Sequence, residues 1–143
     1  MIVCRPALES DWSSIEGLLR ACDLPIAGAR DHLGDFVLAE TQDRVVGCAG
    51  AEIFGEEALL RSVAVTGERR EQGVGGKMVG AVLANLRGRG VKDVVLLTTT
   101  AEEFFAARGF RRIARGEVPA SVQASAEFNG ACPDSAIVML RRL

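Results

Sequence analysis

Val63-Ala-Val-Thr-Gly-Glu-Arg-Arg-Glu-Gln-Gly-Val-Gly-Gly-Lys77 carries an apolar run into a glycine-rich, basic turn and out again into a helical pattern. Gly73, Gly75 and Gly76 have no side chain to hold a ligand away. Their backbone N–H groups can therefore converge on phosphate oxygens at the positive end of the following helix. Arg69, Arg70 and Lys77 add cationic charge around the same turn. Spacing decides which glycine-rich turn this is. A nucleotide P-loop ending in Gly76-Lys77 needs glycine at 71 and Ser or Thr at 78, but the chain has Glu71 and Met78. A dinucleotide fingerprint starting at Gly73 also needs glycine at 78 and fails there. What fits is Arg70-x-x-Gly73-x-Gly75, with a ligand-free strand-to-helix turn as the plain alternative.

Outward from that turn, the pattern alternates strands and helices. Residues 1–5 read as a strand, and Ser10 or Asp11 caps a helix with Trp12, Ile15, Leu18, Leu19 and Cys22 on one face. A second short helix is expected at about 25–33, then strands at 36–40, 45–54 and 57–65, with Gly55-Glu56 as the two-residue turn joining the last two. Past the glycine turn, Met78, Val82 and Leu86 form a helical stripe beside Val79 and Leu83, and Gly88 or Gly90 ends it. A strand at 91–98, a helix at 101–108, a strand at 110–118, a short helix at 119–128 and a strand at 136–140 follow. This order implies a mixed α/β sheet covered on both faces.

The chain has 143 residues, a length that suits one domain over 1–143. A net charge of −2 argues against a general nucleic-acid surface, so the basic residues at 69–77 are a local patch suited to phosphate on a small ligand. Charge interrupts the N-terminal stretch, and no run approaches a membrane span, which points to a cytoplasmic protein without a membrane partner. Cys4, Cys22, Cys48 and Cys132 form no CxxC pair and His32 is the only histidine. No metal site and no Ser-His or Cys-His relay is expected.

Three segments carry a resemblance. Arg70-x-x-Gly73-x-Gly75 is similar to the acetyl-CoA pyrophosphate loop of the GNAT N-acetyltransferases. Phe104-Phe-Ala-Ala-Arg-Gly109-Phe110 looks like their Phe-Tyr-x-x-x-Gly-Phe pattern, and Leu59-Leu-Arg-Ser-Val-Ala-Val65 resembles their fourth strand. They occur in the family's order, and the resemblance covers nearly the whole chain. It implies a mostly antiparallel sheet of six or seven strands, splayed between strands four and five and flanked by about four helices. It also implies acetyl-CoA as co-substrate, held by Val63, Val65, Arg70, Glu71, Gln72, Gly73, Val74, Gly75, Gly76, Lys77, Phe104, Phe105 and Arg108. Homodimers are common in such families, so pairing of two chains is expected on the same basis. Val118-Pro119, Ser125-Ala-Glu127-Phe128, Cys132-Pro133-x-Ser135-Ala136 and Leu97-Thr-Thr-Thr-Ala101 resemble the GNAT enzymes of bacterial arsenic-resistance operons.

Transfer of an acetyl group to an amine needs a neutral nucleophile, yet an alkylammonium has a pKa of roughly 10.4. With Gly55-Glu56 as the turn, residue 54 faces 57, 52 faces 59 and 50 faces 61. Glu52, Glu57, Leu59, Arg61, Val63 and Val65 would then share one face. Glu52 is the candidate general base, directly or through water, and Arg61 a candidate anchor for an anionic group on the acceptor. A cross-strand ion pair without catalytic work is the equal alternative. Val65 is expected to act through its main chain on the acetyl carbonyl. The resemblance makes Leu24 and Pro25, where GNAT enzymes wall the acceptor site, candidate acceptor contacts, with a plain helix break as the equal alternative, and Thr99 is a further candidate. The family's tyrosine is Phe105 here, and the chain has no tyrosine at all, so water, Thr98, Thr99, Thr100 or Cys132 must protonate the leaving thiolate, or nothing does. The leading function is acetylation of a primary amine on a small, anionic, amino-acid-like molecule, with arsenic or toxin resistance as the finer expectation. A non-catalytic acyl-CoA sensor and a protein-tail acetyltransferase stay open.

Overall fold

A computed structural model describes residues 1–69 and 72–143. Arg70 and Glu71, both assigned to the phosphate loop, lie outside the described residues. The strands are β1 (Val3–Pro6), β2 (Phe36–Thr41), β3 (Arg44–Phe54), β4 (Glu57–Val65), β5 (Asp93–Thr98), β6 (Arg111–Ile113) and β7 (Ile137–Arg142). They form one sheet in the order β1-β2-β3-β4-β5-β7-β6, in which β4 and β5 run parallel and the other described neighbours antiparallel. The helices are α1 (Trp12–Ala21), α2 (Val74–Gly88) and α3 (Glu102–Ala106), with short 3-10 turns between elements.

The apolar periodicities explain the layers. Met78, Val79, Val82, Leu83 and Leu86 of α2 are buried against Val37, Ala39, Ala51, Leu60 and Leu96 on one face of the sheet. On the other face, Ile15, Leu18 and Leu19 of α1 pack against Leu38, Cys48 and Ala64. Further along that second face, Leu59, Val95 and Val138 are covered by Val118 and Val122 from the long β6–β7 connection. That connection therefore roofs the same side of the sheet as α1.

Two irregularities shape the centre. The hairpin register is the expected one, with Phe54 opposite Glu57, Glu52 opposite Leu59 and Gly50 opposite Arg61. Beyond Arg61 the register slips, because Cys48 pairs with Ala64, so Ser62 and Val63 together oppose Ala49. This is a β-bulge, and Ser62 sits at φ 60° to make it. It reverses the alternation of β4. Leu60 lies on the α2 face, yet Ala64 lies on the α1 face, and Val63 and Val65 pack on the α2 side. The expectation that Val63 and Val65 share a face with Arg61 is thus corrected, since one inserted residue flips every later side chain.

The second irregularity is a parting of strands. The parallel register of β4 with β5 runs only from Glu57–Asp93 to Leu59–Val95. Past that point β4 stays with β3, while β5 stays with β7 as far as Thr98–Ile137. The sheet splays there, beside the bulge.

Other expectations are also corrected. The helix at 25–33 is instead a 3-10 segment over Arg30–Asp35, because Pro25 and Gly28 at φ 80° interrupt the preceding stretch. The strand at 110–118 stops at Ile113, where pairing with β7 ends, and Arg115–Glu117 turn away as a 3-10 segment. The helix at 119–128 is two separate 3-10 turns, Val122–Ala124 and Ala126–Phe128, broken by the extended Ser125. None of the described helices is long and apolar enough to cross a membrane.

Candidate active site

A cleft of about 970 Å³ fills the gap between the diverging strands. One end is the start of α2. Gly73 takes φ 76° as its N-cap, a left-handed conformation that glycine adopts without strain, and Gly73, Gly75 and Gly76 all form cleft wall. The first turn of α2, whose leading N–H groups have no acceptor within the helix, borders this space. Arg108 stands against the same helix end. A Cβ on Gly76 would fall 2.5 Å from Arg108 Nη2, and the guanidinium lies 3.7 Å over the Phe104 ring while Nη1 donates to the Phe104 carbonyl at 2.8 Å. A cation beside a helix N-terminus opposes the helix's own positive end. An anion between the two relieves both, and among the described residues no carboxylate pairs with Arg108. Beyond Arg108 a shallower groove of about 380 Å³ runs between α2 and Gly109, with Arg141 on its rim.

The opposite end is built from buried charge. The Arg61 side chain is 0% exposed and its Nη1 donates to Glu52 Oε2 at 2.6 Å. Nη2 donates to the Pro25 carbonyl at 3.1 Å, and Nε donates to Ser62 Oγ at 3.0 Å while facing Glu127 Oε2 at 3.4 Å. Glu52 is 2% exposed and its other oxygen faces His32 Nε2 at 3.5 Å. Glu127, 4% exposed, comes from the third 3-10 turn of the β6–β7 connection, Ala126–Phe128, where Ser125 Oγ accepts its backbone N–H at 3.2 Å. Burial pushes the Glu127 carboxyl up to about 7, and the Glu52 charge adds to this, while Arg61 and a hydrogen bond from Cys132 oppose it. Burial, followed by the neighbouring Glu127 charge, pushes the Cys132 thiol up to about 12. That thiol stays protonated at neutral pH.

The structure brings together in one cleft Leu24, Pro25, Arg61, Val63, Val65, Gly73, Gly75, Gly76, Thr99, Phe104, Phe105 and Arg108. Others assigned from sequence fall elsewhere. Val74 is 1% exposed in the α2 core. The exposed Gln72 accepts from Arg69 Nη1 at 3.0 Å, and Lys77 Nζ donates to the Ile2 carbonyl at 2.7 Å, away from the cleft. Glu52 lies behind Arg61 rather than in the cleft wall. Glu127 was not assigned a role from sequence. The available signal was its isolation, because it is the single charged residue between Glu117 and Asp134, in a segment otherwise apolar or neutral. Among the described residues no group of three or more His, Cys, Asp or Glu side chains is arranged to hold a metal ion.

Comparison with known proteins accounts for this architecture. The family model described as "Acetyltransferase (GNAT) domain" matches residues 32–112, more than half of the chain. The chain belongs to the GNAT acetyltransferase family, whose acyl donor is acetyl-CoA. It is 26% identical over 115 residues to the amino-acid acetyltransferase of Neisseria meningitidis serogroup A, a match covering 79% of this chain and 26% of that protein. The N-acetylglutamate synthase of Neisseria gonorrhoeae, solved with coenzyme A and N-acetyl-glutamate, superposes with a TM-score of 0.86 at 23% identity. That superposition covers 100% of this chain and 35% of the synthase. A Mycobacterium tuberculosis protein solved with CoA gives a TM-score of 0.81 at 24% identity, with 99% of both chains covered. The chain thus spans about a quarter of the curated Neisseria relative's length.

Proposed function

We propose that the chain is an acetyl-CoA-dependent N-acetyltransferase acting on the amino group of a small amino-acid-like molecule. The observation that carries this reading is a cleft with an anion-seeking helix end at one side and a buried Glu-Arg-Glu cluster at the other. The diphosphate of the donor seats on the N–H groups of Gly73, Gly75 and Gly76 with Arg108 beside them. Its pantetheine arm runs along β4 where β5 has left it, past Val63 and Val65. The amine enters between Leu24, Pro25 and Thr99. Much of the rate then comes from aligning amine and thioester in a confined space. Family membership and the amino-acid acetyltransferase relatives support this choice of acceptor.

Arg61 is given a narrower part than its sequence position suggests. Nε, Nη1 and Nη2 all have internal acceptors, which supports a role in holding Glu52, Glu127 and the Pro25 loop in place rather than in gripping an acceptor carboxylate. The resemblance of the C-terminal segments to arsenic-operon enzymes supports resistance to a toxic amino-acid analogue as the finer reading. Acetyl-CoA-dependent thiol release, measured across a panel of amino acids that includes glutamate, tests the proposal. Turnover with at least one α-amino acid is expected. Tight CoA binding with silence across the panel would overturn it in favour of an acyl-CoA sensor, the reading favoured by phenylalanine rather than tyrosine at 105.

A further inference from the structure

We propose that Glu127, not Glu52, is the base that takes the proton from the acceptor ammonium, with the Cys132 thiol as the positioning residue that orients its carboxylate. This rests on the acetyltransferase reading given above. The geometry separates the two carboxylates. Glu52 is bound at 2.6 Å by Arg61 on one oxygen, faces His32 on the other and is screened from the cleft. Glu127 has only the longer 3.4 Å approach to Arg61, and with Cys132 and Pro133 it forms cleft wall.

Charge counting points the same way. The groups that face Glu127 are Arg61 from β4, Glu52 from β3 and Cys132 from its own loop, with His32 behind Glu52 and Arg115 near Cys132. One guanidinium sits between two buried carboxylates, and Glu52 holds the closer contact. The second carboxylate lacks a full counter-charge, so it either keeps a proton or meets a cation from the cleft. An incoming ammonium is that cation. The position of Glu127 near 7 leaves it partly ionised at neutral pH, in the range where a general base works best.

An N–H bond of the ammonium breaks and its proton goes to Glu127. The freed lone pair forms the C–N bond to the thioester carbonyl carbon, and the C–S bond breaks with its electron pair going to sulfur. The second nitrogen proton reaches that sulfur to give the free thiol, and Glu127 returns its proton to solvent. No acidic tyrosine is required, which fits Phe105.

The test compares wild type with Glu127→Gln, using acetyl-CoA and the best amino acid of the panel. CoA affinity should be retained, and the melting temperature at pH 7 should not fall, since a neutral glutamine removes the cost of ionising a buried acid. At pH 7 kcat should fall by about 100-fold or more, and the loss should shrink to under about 10-fold near pH 9.5, where free amine needs no base. The acid limb of kcat/KM near pH 7 should disappear, while Cys132→Ser should shift that limb without removing it. A Glu127→Gln protein that keeps both rate and acid limb overturns this assignment and leaves the acetyltransferase reading standing. A wild-type protein silent with every acceptor overturns both. Should Glu127→Gln fail to fold, Glu127→Asp carries the test, since a shortened base must lower kcat and displace the limb. An unmoved limb overturns the assignment.

Discussion

At the α2 end of the cleft, the groups offered to a ligand are main-chain N–H donors from residues adjacent in sequence. At the far end they are the side chains of Glu127 and Cys132 from a long connection, held in place by Arg61 and Glu52 from two strands. The first end rests mainly on a glycine spacing and a helix start, both local, with Arg108 brought beside them from the end of α3. The second needs a hairpin register, a bulge and a folded loop all in place at once. Main-chain recognition also tolerates side-chain change, whereas buried charges depend on every partner being present. The two ends should therefore fail in different ways when perturbed.

The largest effect is expected from Arg61→Ala. Removing the shared cation leaves Glu52 and Glu127 buried against each other, and breaking such a cluster typically costs about 3–5 kcal/mol. Urea denaturation monitors this. Stability unchanged within about 0.5 kcal/mol would show that the cluster is solvated and that the contrast between the two ends is false.

Next comes the pH dependence of stability. The Glu127 carboxyl is raised in the folded protein to about 7 from the ordinary 4.5, so the folded state holds more protons than the unfolded state between those values. Its contribution is therefore present below about pH 4.5 and is lost as pH rises through about 7, a change of order 3 kcal/mol. Glu127→Gln should flatten that decline. An identical slope in the variant would mean that the carboxyl titrates normally.

At the other end, Gly73→Val forces a β-branched residue into a left-handed conformation, a strain of about 1–3 kcal/mol. Expressed at the helix N-terminus, this should weaken CoA binding by about 10- to 100-fold in a calorimetric titration, because 1.4 kcal/mol is a factor of ten. Unchanged affinity would remove the phosphate assignment from this turn.

The smallest effect is reserved for Lys77→Ala. Its ammonium is bonded to the Ile2 carbonyl, so CoA affinity should change by less than about threefold. A loss of ten times or more would show that the lysine leaves Ile2 to join the ligand, and would make the α2 end depend on side chains after all.

The contrast also explains how much could be read from the chain. The stripe of Met78, Val82 and Leu86, the Gly55-Glu56 turn and the pairing of Glu52 with Leu59 follow from short-range rules of period and turn length, and they hold in three dimensions. The placement of Val63 and Val65 on the Arg61 face did not hold, because a bulge adds one residue without leaving a sign in the apolar pattern. Ser62 at φ 60° has no glycine to announce it. The alanines and valines of the β6–β7 connection suit both strand and helix, so the sequence alone points to regular structure there. The three 3-10 turns of that connection form where Val118 and Val122 find Leu59 and Val95 to cover.

Glycine spacing, helical stripes and a two-residue turn were thus sufficient by themselves to place a glycine-rich helix start after a central strand, because each depends on neighbours in the chain. Which carboxylate reaches the cleft was decided only by tertiary structure. Burial, and the sharing of one guanidinium between Glu52 and Glu127, arise from contacts between segments that no local rule connects.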